Sequence, residues 1–183
     1  ERGGPCRTGH SNRGPDALLD AYLLHLKRNG FDGYERKHVC TGVGAKHIIF
    51  NVMYAILSEG DEIILPAPYW TSHIDIARIV GAEVKIAHCG ADQDYKLRPE
   101  QLRALIGPKT KLLIFNNPSN PTGMVYTQDE IRALGDVLVE HDFWILSDDI
   151  YNQMIFDGLG WAHLLHTHPQ LRDRIILLDS LSK

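Results

Sequence analysis

Short apolar runs rich in Ile, Leu and Val alternate along the chain with longer stretches in which apolar residues recur every three or four positions. The short runs predict buried strands, and the longer stretches predict helices that cover a sheet. This alternation is typical of βαβ units, so we predict an α/β fold with a mostly parallel sheet. The predicted strands cover residues 62–65, 83–87, 111–115, 143–147 and 174–178.

Four stretches carry the helical pattern. Residues 45–58 have apolar side chains at i, i+3 and i+4, and Gly60 follows as the expected stop. A capping box, Thr127-Gln-Asp-Glu130, predicts a helix from there to about residue 140. Residues 15–29 and 72–80 predict two further helices. No repeat, linker or low-complexity tract divides the chain, so we expect one packed core.

Charge and composition exclude several classes of protein. Among 183 residues there are 19 Lys and Arg against 23 Asp and Glu, so the formal net charge is −4, which argues against nucleic-acid binding through a basic surface. No apolar run approaches the roughly 20 residues of a membrane span, and no signal peptide opens the chain. Three cysteines without C-x-x-C spacing fit a reducing compartment. We expect a soluble, cytoplasmic protein without membrane contact.

Unusual residues cluster where strands end. In an open parallel sheet these ends present the loops that bind ligands. Taken singly, each segment is compatible with an ordinary turn, although two Asn-Pro steps followed by Thr-Gly are more than a turn requires. Asp148 directly follows a buried strand, where a carboxylate needs a positive partner. The segments are 41–46, 66–70, 116–123, 148–151 and 179–183.

Together and in this order, these segments resemble the class I/II aminotransferases, the aspartate aminotransferase-like branch of the fold-type I enzymes that use pyridoxal 5′-phosphate. The resemblance runs from about Ser11 to Lys183. Its motifs are Ser11-Asn-Arg-Gly14-Pro-Asp-Ala-Leu18, Gly44-Ala-Lys46, Gly60-Asp-Glu-Ile63, Pro68-Tyr-Trp70, Asn117-Pro-Ser-Asn-Pro-Thr-Gly123, Ser147-Asp-Asp-Ile-Tyr151 and Ser180-Leu-Ser-Lys183.

The resemblance implies a three-layer α/β/α transferase fold. It implies an N-terminal arm over residues 1–13 and a cofactor-binding large domain over residues 14–183, with the rest of that domain and a small C-terminal domain outside this sequence. It also implies a homodimer whose active sites lie at the two-fold interface.

The same resemblance assigns the catalytic residues. Lys183 would form the Schiff base with the cofactor and then move the proton between the substrate Cα and the cofactor. Asp148 would pair with the pyridine nitrogen and keep it protonated. Tyr151 and Asn120 would hydrogen-bond the cofactor O3′ from its two sides. Asn120 would also lie near the substrate carboxylate.

The remaining assignments concern the phosphate and the ring. Gly44, Ala45 and Lys46 would form a phosphate cradle at a helix N-terminus, and Ser180 would donate its hydroxyl to the same phosphate. Trp70 would stack on the pyridine ring and, with Asn120, face the substrate. Asp149 stands where the family usually has Glu, and we expect little effect.

Two features stand apart from the family pattern. Gly9-His10 occupies the place of the Tyr-Thr pair whose tyrosine reaches the neighbouring subunit's cofactor phosphate, so His10 either replaces that contact or the contact is missing. His163, His166 and His168 invite a metal interpretation, but no Cys or carboxylate set completes a site and we place them in a surface loop. We therefore expect no metal.

The resemblance favours an aminotransferase that moves an amino group from an L-amino acid to a 2-oxo acid through Lys183. Two alternatives stay open. A lyase, cyclase or oxidase could use the same scaffold, because the same carbanion has several chemical fates. A ligand-sensing domain of an aminotransferase-like transcription regulator would be a different class of protein. The sequence does not identify the substrate.

Overall fold

The structure is a computed structural model that describes residues 13–183. It divides into two compact units between Val43 and Gly44. Gly9-His10 and Cys6 lie outside the described residues. No helix within residues 13–183 is long and apolar enough to cross a membrane.

In the first unit, helix α1 (Asp16–Arg28) confirms the helix predicted over residues 15–29. Gly14 precedes it with φ +123, and an added Cβ would lie 2.0 Å from the Thr41 hydroxyl oxygen. The backbone carbonyl of Arg13 accepts hydrogen bonds from the Thr41 amide at 2.7 Å and from its hydroxyl at 3.0 Å. Glycine at position 14 therefore serves a tight backbone approach.

The second unit is built on a five-stranded sheet in the order β2-β1-β3-β4-β5. All four strand pairs are parallel, which confirms the α/β prediction. Each predicted strand is present, with bounds that differ by at most two residues. The strands are β1 (Glu62–Ala67), β2 (Glu83–His88), β3 (Thr110–Asn116), β4 (Trp144–Asp148) and β5 (Ile175–Leu178).

Helices cover both faces of this sheet. Helices α2 (Ala45–Ile56) and α3 (Thr71–Ile79) bury Ile49, Met53 and Ile74 in one apolar cluster with Leu146 of β4. The opposite cluster contains Ile145 of β4 and buries apolar residues of three other helices. Those helices are α4 (Pro99–Leu105), α5 (Gln128–Leu138) and α6 (Leu164–Thr167). Neighbouring residues of a strand thus face opposite layers, as the pleat requires.

The predicted capping box is confirmed at the start of α5. The Thr127 hydroxyl accepts from the Glu130 amide at 3.3 Å, and the Glu130 carboxylate accepts from the Thr127 amide at 2.7 Å. The helices predicted over 45–58 and 72–80 are also present as α2 and α3.

The prediction that His163, His166 and His168 lie in a surface loop is wrong, except that His166 is exposed. Residues Leu164–Thr167 form helix α6, and both His163 and His168 are buried. Leu164 belongs to the apolar cluster on that side of the sheet, so this stretch packs against the core. The short helix α4 was also not predicted, because its seven residues carry only one fully buried side chain, Leu102.

Candidate active site

The site lies at the carboxyl ends of the central strands. Asp148 is the last residue of β4 and stands opposite Asn116, the last residue of β3. The Asn116 side-chain amide donates to the Asp148 backbone carbonyl at 2.8 Å, and its carbonyl oxygen accepts from the Asn120 backbone amide at 2.7 Å. The Asn-Pro loop after β3 is therefore tied directly to the end of β4.

Asp148 is a buried carboxylate with two different surroundings. Its Oδ2 lies 3.2 Å from Nε2 of His73, which projects from α3. Its Oδ1 is buried and has no hydrogen-bond partner among residues 13–183. A buried acceptor without a partner costs free energy, so this oxygen is placed for a donor from outside residues 13–183.

Tyr151, Asn120 and Lys183 converge from three segments. The Asn120 side-chain amide donates to the Tyr151 hydroxyl at 3.4 Å. The Lys183 ammonium lies 5.8 Å from the centre of the Tyr151 ring. Tyr151 follows Asp148 by three residues, in the turn that begins where β4 ends. The structure thus brings the predicted lysine, phenol and amide into one neighbourhood.

The predicted phosphate cradle lies at the N-terminus of α2. Gly44 has φ +108, and an added Cβ there would meet nothing within 4 Å among the described atoms. Ala45 and Lys46 begin the first turn, whose N–H groups and helix dipole favour an anion. The Lys46 ammonium lies 5.0 Å from the Trp70 ring centre, which connects the cradle to the aromatic residue.

Trp70 immediately precedes α3 and packs edge-on against His73, with ring centres 5.4 Å apart. Trp70, His73 and Asn120 also line one cleft. Ser180 lies in the segment after β5, three residues before Lys183, and its hydroxyl is 2.9 Å from the Ser182 hydroxyl.

Sequence reasoning missed His73 and Asn116. His73 is a buried polar residue on a helix whose neighbours Ile74 and Ile76 are core, and it follows Trp70 by three positions. That spacing puts both rings on one helix face, which could have indicated a shared site. Asn116 begins the segment 116–123 that the sequence marks as unusual, but its own role could not be assigned because that role depends on the pairing of two strands.

The family model for "Aminotransferase class I and II" matches residues 3–183. The chain belongs to this aminotransferase family. Among curated relatives, it is 42% identical over 170 residues to the "Aspartate/prephenate aminotransferase" of Cereibacter sphaeroides, covering 88% of this chain and 42% of the relative. It is 36% identical over 180 residues to the "Aspartate aminotransferase" of Geobacillus stearothermophilus, covering 96% of this chain and 46% of the relative.

Solved aminotransferase structures share the fold. The crystal structure of the Rhizobium meliloti aspartate aminotransferase superposes with a TM-score of 0.92 at 35% identity, covering 95% of this chain and 44% of that one. The Thermus thermophilus aspartate aminotransferase with maleate gives a TM-score of 0.88 at 30% identity, covering 95% and 44%. The chain therefore spans less than half the length of these relatives.

Enzymes of this aminotransferase family typically use pyridoxal 5′-phosphate. The residues present fit that group. Asp148 Oδ1, which has no partner within residues 13–183, suits a protonated ring nitrogen, and the N–H groups at the start of α2, after Gly44, suit a phosphate. The Lys183 amine would be the nucleophile that a cofactor aldehyde requires.

Proposed function

We propose that this chain forms the cofactor-binding part of an aminotransferase that moves an amino group from an L-amino acid to a 2-oxo acid. The observation that carries the proposal is the buried Asp148 carboxylate, whose Oδ1 lacks a partner within residues 13–183 while His73 holds the other oxygen. When bound, pyridoxal 5′-phosphate supplies an aldehyde for the amino group and a ring that accepts the electrons left on the substrate Cα.

Asp148 would accept a hydrogen bond from the protonated ring nitrogen in a site that is shielded from water. The side chains of His73 and Asp148 are both 2% exposed, so solvent screens their contact little. A hydrogen bond from the ring nitrogen to the Asp148 carboxylate would therefore be stronger here than in water. Since His73 occupies Oδ2, the free Oδ1 is the atom available to the ring.

Lys183 would hold the cofactor through its Nζ and, once released, take the proton from the substrate Cα. Tyr151 and Asn120 would hold the ring oxygen between a hydroxyl and an amide that already lie 3.4 Å apart. Their mutual hydrogen bond orients both groups before anything binds, which lowers the cost of binding.

Gly44, Ala45, Lys46 and Ser180 would hold the phosphate, with Lys46 supplying a positive charge near Trp70. Trp70 would cover the ring and, with Asn120, limit the space for the substrate. We propose L-aspartate as the amino donor, on the names of the relatives. We also propose a homodimer, on the family resemblance.

The test uses the full-length gene product, loaded with pyridoxal 5′-phosphate. Borohydride reduction followed by peptide mass spectrometry should place the cofactor on Lys183, and Lys183→Ala should abolish the adduct. The exposed Lys109→Ala is the matched control and should keep it. Size-exclusion chromatography with light scattering checks the dimer.

Activity is then measured with a panel of L-amino acids and 2-oxo acids. Conversion of L-aspartate to oxaloacetate, with amination of the acceptor, supports the proposal. Amino transfer from other donors but not from aspartate overturns only the substrate. Oxygen consumption, elimination or ring closure without a 2-oxo product overturns the transfer reaction. Absence of cofactor binding overturns the enzyme assignment.

A further inference from the structure

A second buried histidine contacts the residue next to Asp148. Asp149 and Ser147 are two positions apart and so project from the same face of the chain, opposite to Asp148. The Ser147 hydroxyl donates to Asp149 Oδ1 at 2.9 Å. Nε2 of His163 lies 3.1 Å from that hydroxyl and 3.4 Å from Asp149 Oδ2. The side chains of His163 and Asp149 are 2% and 5% exposed.

The hydrogen bonds of His163 define its tautomer. Its Nδ1 accepts from the Leu165 backbone amide at 3.0 Å, so Nδ1 carries a lone pair. In the neutral ring the proton must then be on Nε2, which faces Asp149 and Ser147. His163 is therefore a donor to the acid on one side and the N-cap of α6 on the other.

The electrostatics of Asp149 explain why it needs this donor. Burial raises the pKa of the Asp149 carboxyl above its ordinary value, and the charge of Asp148 acts in the same direction. The His163 ring and the Ser147 hydroxyl act in the opposite direction and stabilise the ionised form. Removal of the Nε2 donor would leave a buried carboxylate with one partner fewer.

The backbone of Asp149 links the end of β4 to two neighbouring parts of the candidate site. Its amide donates to the Leu178 carbonyl at 2.9 Å, which ties it to the end of β5. The chain continues from there toward Ser180 and Lys183. Its carbonyl accepts from the Asn152 amide at 2.9 Å, which closes the turn that carries Tyr151. A shift of Asp149 would thus move Asp148 and Tyr151 together.

We propose that His163 is a positioning residue that acts through Asp149 to fix the turn carrying Asp148 and Tyr151. The inference rests on the proposed function for the meaning of that turn. The effect of His163 on both residues passes through the Asp149 side chain. The family resemblance predicts little effect from the aspartate at position 149, whereas this proposal gives Asp149 a role through its contact with His163.

Two isosteric substitutions separate this role from capping. His163→Gln places an amide N–H where Nε2 is and keeps the donor toward Asp149, but loses the acceptor for Leu165. His163→Asn places an oxygen where Nδ1 is and keeps the cap, but loses the donor. The full-length gene product is used for both, with titration of pyridoxal 5′-phosphate, near-UV circular dichroism of the bound cofactor and thermal unfolding without cofactor.

We expect His163→Asn to weaken cofactor binding about tenfold and to change the circular dichroism band, because a charge-assisted hydrogen bond is lost. We expect His163→Gln to bind the cofactor like the wild type, although loss of the acceptor for the Leu165 amide lowers its cofactor-free melting temperature. Asp149→Asn should weaken binding similarly. The double variant Asp149→Asn/His163→Asn should cost no more than either single change, since both remove one interaction.

The opposite ranking, with Gln weaker than Asn in cofactor binding, would show that capping of α6 is the relevant role and would overturn the inference. Equal losses in both variants, or additive losses in the double variant, would overturn it as well. Wild-type protein that does not bind the cofactor would overturn the proposed function and this inference with it. If the wild-type protein binds the cofactor but the variants do not follow the expected ranking, only this inference is overturned and the proposed function stands.

Discussion

His73 Nε2 lies 3.2 Å from Asp148 Oδ2, and both side chains are 2% exposed. A helix of one layer thereby holds the acid at the end of the central strand through a single buried contact. The arrangement leaves the second carboxylate oxygen, Oδ1, available. The orientation of Asp148 is therefore set by the protein before a ligand arrives.

Removal of that contact should cost stability even without cofactor. We expect His73→Leu to lower the free energy of unfolding by about 1–3 kcal/mol, because the Asp148 carboxylate would lose its side-chain partner within residues 13–183. His73→Gln keeps a donor at the Nε2 position and should lose less. Urea unfolding of the cofactor-free full-length gene product measures both. Equal values for the two variants would contradict the assigned role of Nε2.

Asp148→Asn should separate ligand binding from stability. We expect the cofactor to bind about 10- to 100-fold more weakly, since a charge-assisted hydrogen bond is worth about 1.5–3 kcal/mol. The cofactor-free protein should not lose stability, because a buried charge is removed. Spectroscopic titration and urea unfolding give the two numbers. A loss of stability with unchanged cofactor binding would contradict a cofactor role for this carboxylate.

Glu130 should make stability depend on acid pH. Burial alone would raise its pKa, but hydrogen bonds from Thr127 and Lys96 outweigh it and hold the pKa below its ordinary value of 4.5. Its contribution is therefore fully present above about pH 4.5 and is lost as pH falls through the lowered value. Urea unfolding between pH 7 and pH 3 should show the advantage of wild type over Glu130→Gln shrinking with acid. Parallel curves would refute this.

Gly135 is a glycine in the middle of α5 that should resist replacement. Alanine normally stabilises a helix interior by about 1 kcal/mol relative to glycine. At this position an added Cβ would lie 2.1 Å from Nδ1 of the buried His168. We expect Gly135→Ala to destabilise by about 1–3 kcal/mol through overpacking. In thermal unfolding, Gly135→Ala/His168→Ala should be more stable than Gly135→Ala alone; the reverse order would exclude the clash as the cause.

Local patterns were sufficient for the strands, for α2 and α5, and for the residues that follow each strand. They were sufficient because a parallel sheet shows as apolar runs and a capping box lies within four residues. The contacts of His73 and His163 could not be read in the same way. The His73–Asp148 contact joins residues 75 positions apart, and the His163–Ser147 contact joins residues 16 positions apart. Both contacts depend on how separate parts of the chain pack together. Helix α6 was missed because its four residues make little more than one turn, too short for an apolar pattern to recur.

Asp148 and Asp149 are consecutive acids that face opposite layers, and each meets a histidine from its own side. A slip of β4 by one residue would exchange the two carboxylates between the layers. Each would then point away from its imidazole, in surroundings too dry to hydrate it. The two carboxylate–imidazole contacts therefore favour the correct strand alignment. The contacts that orient the candidate site therefore also favour the correct sheet register. A sheet with β4 out of register would leave two buried carboxylates without their partners and would be less stable.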